Sequence, residues 1–103
     1  MSKYNNKKTE IDGYKFDSLA EADHYLILKA YERIGQISNL TLQPVFPYYG
    51  KNKKPLFKYK ADFSYIENGK LRIIDVKGFK TAVFNLKKKL IEDQYNIKIE
   101  LVK

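Results

Sequence analysis

Three side chains, Asp62, Asp75 and Lys77, could do chemistry together, with Glu21 as a fourth. Asp62 lies in Lys58-Tyr59-Lys60-Ala61-Asp62-Phe63-Ser64-Tyr65-Ile66 and Asp75 in Leu71-Arg72-Ile73-Ile74-Asp75-Val76-Lys77. Both stretches alternate in polarity, and Glu67-Asn68-Gly69-Lys70 joins them. Asn-Gly between alternating segments is the strongest short hairpin signal. A two-residue turn there pairs Glu67 with Lys70 and Ile66 with Leu71. Counting outward, Ser64 faces Ile73, Asp62 faces Asp75 and Lys60 faces Lys77. Directly opposed residues leave one sheet face with Cβ atoms ~5 Å apart, and Lys77 shares the face of Asp75, two residues away. Two carboxylates so placed repel by roughly 3 kcal/mol in a partly buried setting. Separation, protonation or a bound cation removes that cost. Oxygen-only ligands select hard ions, Mg²⁺ or Mn²⁺. A single histidine, His24, argues against a His-rich transition-metal site, and the absence of cysteine excludes Cys-based zinc sites. A plainer arrangement stays open, with both aspartates at exposed strand ends and ion-paired to Lys60 and Lys77. A three-residue loop would slip the register by one and flip every side chain.

Glu21 has two readings. Ser18-Leu19-Ala20-Glu21 fits a capping box, with serine as N-cap and glutamate at the third helical position. Alternatively, the helix crosses the face carrying Asp62 and Asp75. Glu21 shares its side of the helix with Tyr25 and Leu28, so that side is not wholly solvated. The two roles are compatible.

The elements that must hold these residues follow from periodicity and punctuation. Residues 9–16 read as a hairpin turning at Asp12-Gly13. A helix runs from Ser18 to about Ile34 and ends at Gly35. Its apolar residues (Leu19, Ala22, Tyr25, Leu26, Ile27, Leu28, Ala30, Tyr31, Ile34) cover more than one stripe, which predicts an enclosed helix. Residues 40–48 read as one edge strand because Pro44 and Pro47 lie within it. After the hairpin, a second helix spans about residues 82–95, capped by Thr81. Val83, Leu86, Leu90 and Gln94 mark its face, flanked by Phe84, Ile91 and Tyr95. Residues 97–102 form the last strand. The expected fold is α/β (α+β mixed): a central mixed four-stranded sheet with flanking helices plus an N-terminal β-hairpin. The last strand–helix–strand unit is a parallel crossover.

The 103 residues fit one domain, 1–103, with a loose basic arm at 1–8, the hairpin at 9–17 and the core at 18–102. That length allows one core rather than two. No apolar run reaches the ~20 residues of a membrane span, and the N-terminus lacks a signal-peptide core. The expectation is therefore no membrane and a cytoplasmic protein. The net charge of +8 points to a polyanion partner. Lys51, Lys53, Lys54, Lys58 and Lys60 form one cluster; Lys77, Lys80, Lys87, Lys88 and Lys89 form another. Tyr48, Tyr49, Phe57 and Tyr59 interleave with the first and could stack on bases or pack in a core.

Glu21 on a first helix, Asp62 in one strand and Asp75-Val76-Lys77 in the next resemble the PD-(D/E)XK (restriction-endonuclease-like) nuclease superfamily. The element order is similar to its αβββαβ core over roughly residues 16–102. Ala61 stands where the superfamily's name puts proline. The chain also resembles a family of small phage and prophage proteins. That likeness lies in Phe16-Asp17-Ser18 with Glu21-Ala22, Ile37-Ser38-Asn39-Leu40 with Leu42-Gln43-Pro44, Tyr59-Lys60-Ala61-Asp62-Phe63 and Asp75-Val76-Lys77-Gly78-Phe79-Lys80-Thr81.

The resemblance implies a Mg²⁺- or Mn²⁺-dependent endonuclease that hydrolyses phosphodiester bonds in DNA. RNA stays open, and structure-specific nicking or junction cleavage in phage DNA metabolism within a bacterial host fits. Glu21, Asp62, Asp75 and Lys77 would be catalytic. Asp62, Asp75 and Glu21 would hold the metal, with the Val76 carbonyl as a further ligand. Lys77 would stabilise developing negative charge, and Gln43 is an accessory candidate. Lys58, Lys60, Lys80, Lys87, Lys88 and Lys89 would neutralise backbone phosphates. Cutting both strands needs two sites, which a homodimer supplies. The alternative is a nucleic-acid-binding module without cleavage on the same fold.

Overall fold

The computed structural model describes residues 8–76 and 81–102. Most of the expected basic arm, and Lys77 and Lys80, lie outside the described residues. The chain opens with β1 (Thr9–Ile11) and β2 (Tyr14–Phe16), an antiparallel hairpin. Asp12 and Gly13 take φ of +54° and +84°, the left-handed pair a two-residue turn needs. The Tyr25 hydroxyl donates to Asp12 Oδ2 at 2.7 Å and ties the hairpin to the helix that follows.

That helix, α1 (Leu19–Arg33), starts and stops where its punctuation predicts. Ser18 is the N-cap, Ile34 the C-cap, and Gly35 sits at φ +82°. Its inner side carries Glu21, Ala22, Tyr25 and Leu28. The expected enclosure is not found. Leu19, Leu26, Ile27 and Tyr31 are exposed, and Ile34 is 70% exposed. One face of a sheet covers one side of a helix, and no element of the described residues covers the other.

A four-stranded mixed sheet is built from β3 (Ser38–Leu42), β6 (Phe63–Glu67), β7 (Lys70–Val76) and β8 (Ile99–Val102), in that order. The first two pairings are antiparallel and β7–β8 is parallel, as expected. The Asn68-Gly69 turn, at φ +53° and +76°, sets the predicted register: Glu67 opposite Lys70, Ile66 opposite Leu71, Ser64 opposite Ile73.

The single edge strand expected over residues 40–48 is instead two strands. Gln43 takes φ +53° and Pro44 lacks an N–H, so the ladder turns there. The chain continues as β4 (Val45–Tyr49), which pairs only with β5 (Pro55–Lys60) in a separate two-stranded ribbon. Ribbon and sheet meet at a corner. Gln43 N–H donates to the Asp62 carbonyl at 2.9 Å, and Ala61 N–H donates to the Pro44 carbonyl at 3.0 Å.

The second helix, α2 (Ala82–Tyr95), is capped by the Thr81 hydroxyl, which accepts from Phe84 N–H at 3.0 Å. Its buried side is Phe84, Ile91 and Tyr95, while Val83 and Leu86 are exposed. The flank predicted from the sequence is thus the packed face. The ribbon supplies the rings that decide this: Tyr59 lies 6.0 Å from Phe84 and Phe46 5.4 Å from Tyr95, centroid to centroid. Two apolar clusters result in place of the single expected core. Phe16, Ala22, Tyr25, Leu28, Ile37, Phe63, Tyr65 and Ile74 fill the α1 side. Tyr59, Ala61, Ile73, Ile91 and Ile99 fill the α2 side. A sheet covered on both faces divides its own interior. Among the described residues, no helix is long and apolar enough to cross a membrane.

Candidate functional site

Strand alternation sorts the residues of β7. Ile73 belongs to the α2-side cluster and Ile74 to the α1-side cluster, so Asp75 points to the α2 side and Val76 to the α1 side. Asp75 is wholly buried there, and its Oδ2 accepts a hydrogen bond from the Tyr59 hydroxyl.

Asp62 does not face it. The β6–β7 ladder ends at Phe63 opposite Ile74, and Asp62 N–H donates to the carbonyl of that same Ile74 at 3.1 Å. Two residues therefore stand against one, which is a β-bulge, and bulges re-aim side chains. The predicted opposition of Asp62 and Asp75 assumed an uninterrupted ladder; the bulge turns Asp62 towards α1 instead. Lys60 faces Val45 in the ribbon, and the expected Lys60–Lys77 pairing falls on a residue outside the described ones.

On the α1 side Asp62 meets Glu21. The two carboxyl groups share a hydrogen bond. Burial, followed by that bond and by repulsion from Asp62, pushes the Glu21 carboxyl up from 4.5 to about 7. A hydrogen bond from Asp17 N–H to Glu21 Oε1, 3.1 Å, works in the opposite direction. Glu21 is only 6% exposed. Its capping role holds at the same time: Ser18 Oγ accepts from Glu21 N–H at 3.1 Å, while the glutamate reaches back to Asp17 rather than to Ser18. Asp62 Oδ2 also accepts from Val76 N–H at 2.7 Å. The Val76 amide thus meets the acid.

Glu21, Asp62 and the Val76 backbone thus come together, with Gln43 joined to Asp62 through its backbone and its side chain exposed. Asp75 is held on the opposite face. Among the described residues no three His, Cys, Asp or Glu side chains converge as a metal site. The Glu21–Asp62 pair still suits a hard cation. It is an all-oxygen donor set, and burial together with the nearness of Asp62, which drive Glu21 towards protonation, would be offset by a positive charge.

The lysines divide. Lys58 and Lys60 are exposed on β5 and Lys89 on α2. Lys87 lies over the Phe57 ring, 5.3 Å from its centroid, and Lys88 pairs with Glu92 Oε2 at 3.0 Å. Those last two serve α2 and its packing. Of the ribbon rings, Tyr48 and Phe57 stack on one another at 5.1 Å and 15°, Tyr59 is buried, and Tyr49 is exposed. Sequence reasoning missed Tyr59 as the partner of Asp75. No local signal marks that contact, because it depends on the corner that folds β5 back over α2.

No curated protein and no solved structure matches the chain. The sequence does match, over residues 1–103, the family described as "Protein of unknown function (DUF1064)". By that full-length match the chain belongs to the DUF1064 family.

Proposed function

We propose that this protein is a Mg²⁺- or Mn²⁺-dependent nuclease acting on DNA, built as a PD-(D/E)XK core. The observation that carries the reading is the Glu21–Asp62 carboxyl pair at the Val76 amide. The order α1, β3, β6, β7, α2, β8 supports it, since it runs helix, three strands, helix, strand. Glu21 and Asp62 would hold the ion, which when bound supplies positive charge to a scissile phosphate and acidifies the attacking water. The chain's own groups do the rest. The Val76 amide orients Asp62, and Ser18 and Asp17 fix Glu21 at the start of α1. Lys77 follows Val76 in the chain and would place its charge beside the phosphate.

The test is nicking of plasmid DNA across a Mg²⁺ and Mn²⁺ series. Wild type should cut, while Asp62→Asn and Glu21→Gln should fold and not cut. Equal behaviour of wild type and Asp62→Asn would sink the reading. The placement of Asp75 favours a second reading, a nucleic-acid-binding module without cleavage. Its carboxylate is engaged with Tyr59, away from the pair. That reading expects salt-sensitive DNA binding and no metal-dependent nicking.

A further inference from the structure

The β4–β5 ribbon lies outside the four-stranded sheet, and its charge is of one sign. Residues 45–61 contain five lysines and no acidic residue, against a net charge of +8 for all 103 residues. The five paired positions of β4 span ~17 Å. The ribbon ends in residues 51–56, which are all exposed.

Its two faces differ. Phe57, Tyr59 and Ala61 turn towards α2, where Tyr59 and Ala61 are buried. By alternation Lys58, Lys60 and Asp62 leave the chain on the other side. Two exposed lysines thus stand on the outer face of β5, and that strand runs into the corner at Asp62. Lys51, Lys53 and Lys54 extend the row of charge to the tip.

We propose that this ribbon is a duplex-docking arm: its outer face and tip enter a groove of B-form DNA and hold the backbone in line with Asp62. Three observations bear on the partner. The charge is lysine alone, suited to phosphate rather than to reading bases. Of the five ribbon rings Tyr59 is buried, Phe46 packs on Tyr95, and Tyr48 and Phe57 stack on one another, which leaves Tyr49 alone exposed where a single-strand binder needs a row of stacking rings. A two-stranded ribbon fits the ~12 Å major groove of B-form DNA, whereas the major groove of A-form RNA is too narrow for it. The ribbon is also braced for insertion. Gln94 accepts from Tyr49 N–H at 2.9 Å and donates to the Pro47 carbonyl at 2.8 Å, and the Tyr95 hydroxyl donates to that carbonyl at 2.6 Å. The inference rests on the nucleic-acid part of the proposed function and not on cleavage.

The experiment is binding of the full chain to a blunt duplex oligonucleotide with metal chelated, titrated with salt. The tip variant Lys51→Gln/Lys53→Gln/Lys54→Gln is compared with a variant of equal net charge, Lys8→Gln/Lys15→Gln/Lys98→Gln, and melting checks both folds. The tip variant should lose about tenfold or more in affinity at ~0.1 M salt. Its log–log salt slope should fall by about three, one per lysine. The scattered variant should stay within about threefold of wild type. Equal losses in the two variants, unchanged binding by the tip variant, or tighter binding of single strands or of RNA duplex would each overturn the proposal. Binding that depends on the tip without any nicking leaves the arm standing and removes the nuclease. Nicking that ignores the tip does the reverse.

Discussion

The Val76 amide donates to Asp62 Oδ2 at 2.7 Å, and this bond joins the end of β7 to the bulge beside β6. It makes Asp62 a structural acceptor as well as a candidate ligand. Asn at position 62 keeps an oxygen acceptor, so Asp62→Asn should melt within about 1 kcal/mol of wild type, whereas Asp62→Ala removes the acceptor and should cost ~1.5–3 kcal/mol. Thermal melting separates the two. On DNA both variants should be inactive.

Glu21 should make stability depend on pH. Its carboxyl titrates at about 7 in the folded chain against 4.5 for the ordinary group. Between those values the folded state holds a proton that the unfolded state has released. Metal-free stability is therefore greatest below about pH 4.5 as far as this group is concerned, and falls as pH rises through 7. Even about 1 kcal/mol of that linkage moves Tm by ~4–8 °C in a chain this size. Glu21→Gln should flatten the profile between pH 5 and 8 and melt higher than wild type at pH 8.

Metal should reverse that trend. At pH 8, adding Mg²⁺ or Mn²⁺ should raise the Tm of wild type by mass action, about 2.7 kcal/mol at a hundredfold excess over Kd. Glu21→Gln and Asp62→Asn should show little response, and chelation should return wild type to its metal-free value. Calorimetric melts with and without chelator decide this. A rise equal in all three proteins would place the ion elsewhere.

Tyr59 can be separated from Asp75 by one atom. Tyr59→Phe keeps the ring in the α2-side cluster and deletes one hydrogen bond to the fully buried Asp75 side chain. A loss of ~1–3 kcal/mol is expected, the range for taking a hydrogen-bond partner from a buried polar group. Denaturant unfolding at pH 7 reads it.

Local signals were legible in the sequence and non-local ones were not. Ser18, Thr81, Gly35 and the two turns at Asp12-Gly13 and Asn68-Gly69 stand where their residue types place them, because caps and two-residue turns need only near neighbours. The same locality gave the register from Glu67–Lys70 out to Phe63–Ile74. Counting failed at the next step. Nothing in Ala61-Asp62-Phe63 announces an extra residue in the ladder, and that one residue exchanged an Asp62–Asp75 pair for a Glu21–Asp62 pair. Pro44 was read as an edge marker when it marks a corner, since its missing N–H is compatible with both. The exposed side of α1 was misread because Leu26, Ile27 and Ile34 say that a residue is apolar, not that a neighbour exists to cover it.

The corner also has a mechanical consequence. The ribbon is joined to the sheet by two chain crossings, Gln43-Pro44 and Ala61-Asp62, and those crossings are bonded to each other. Its far end rests on α2 through Gln94 and Tyr95. It is a beam supported at two points, one of which is the backbone of Asp62. A load applied at the lysine tip is resisted by α2 as fulcrum and reaches the carboxyl pair as a torque about the bulge.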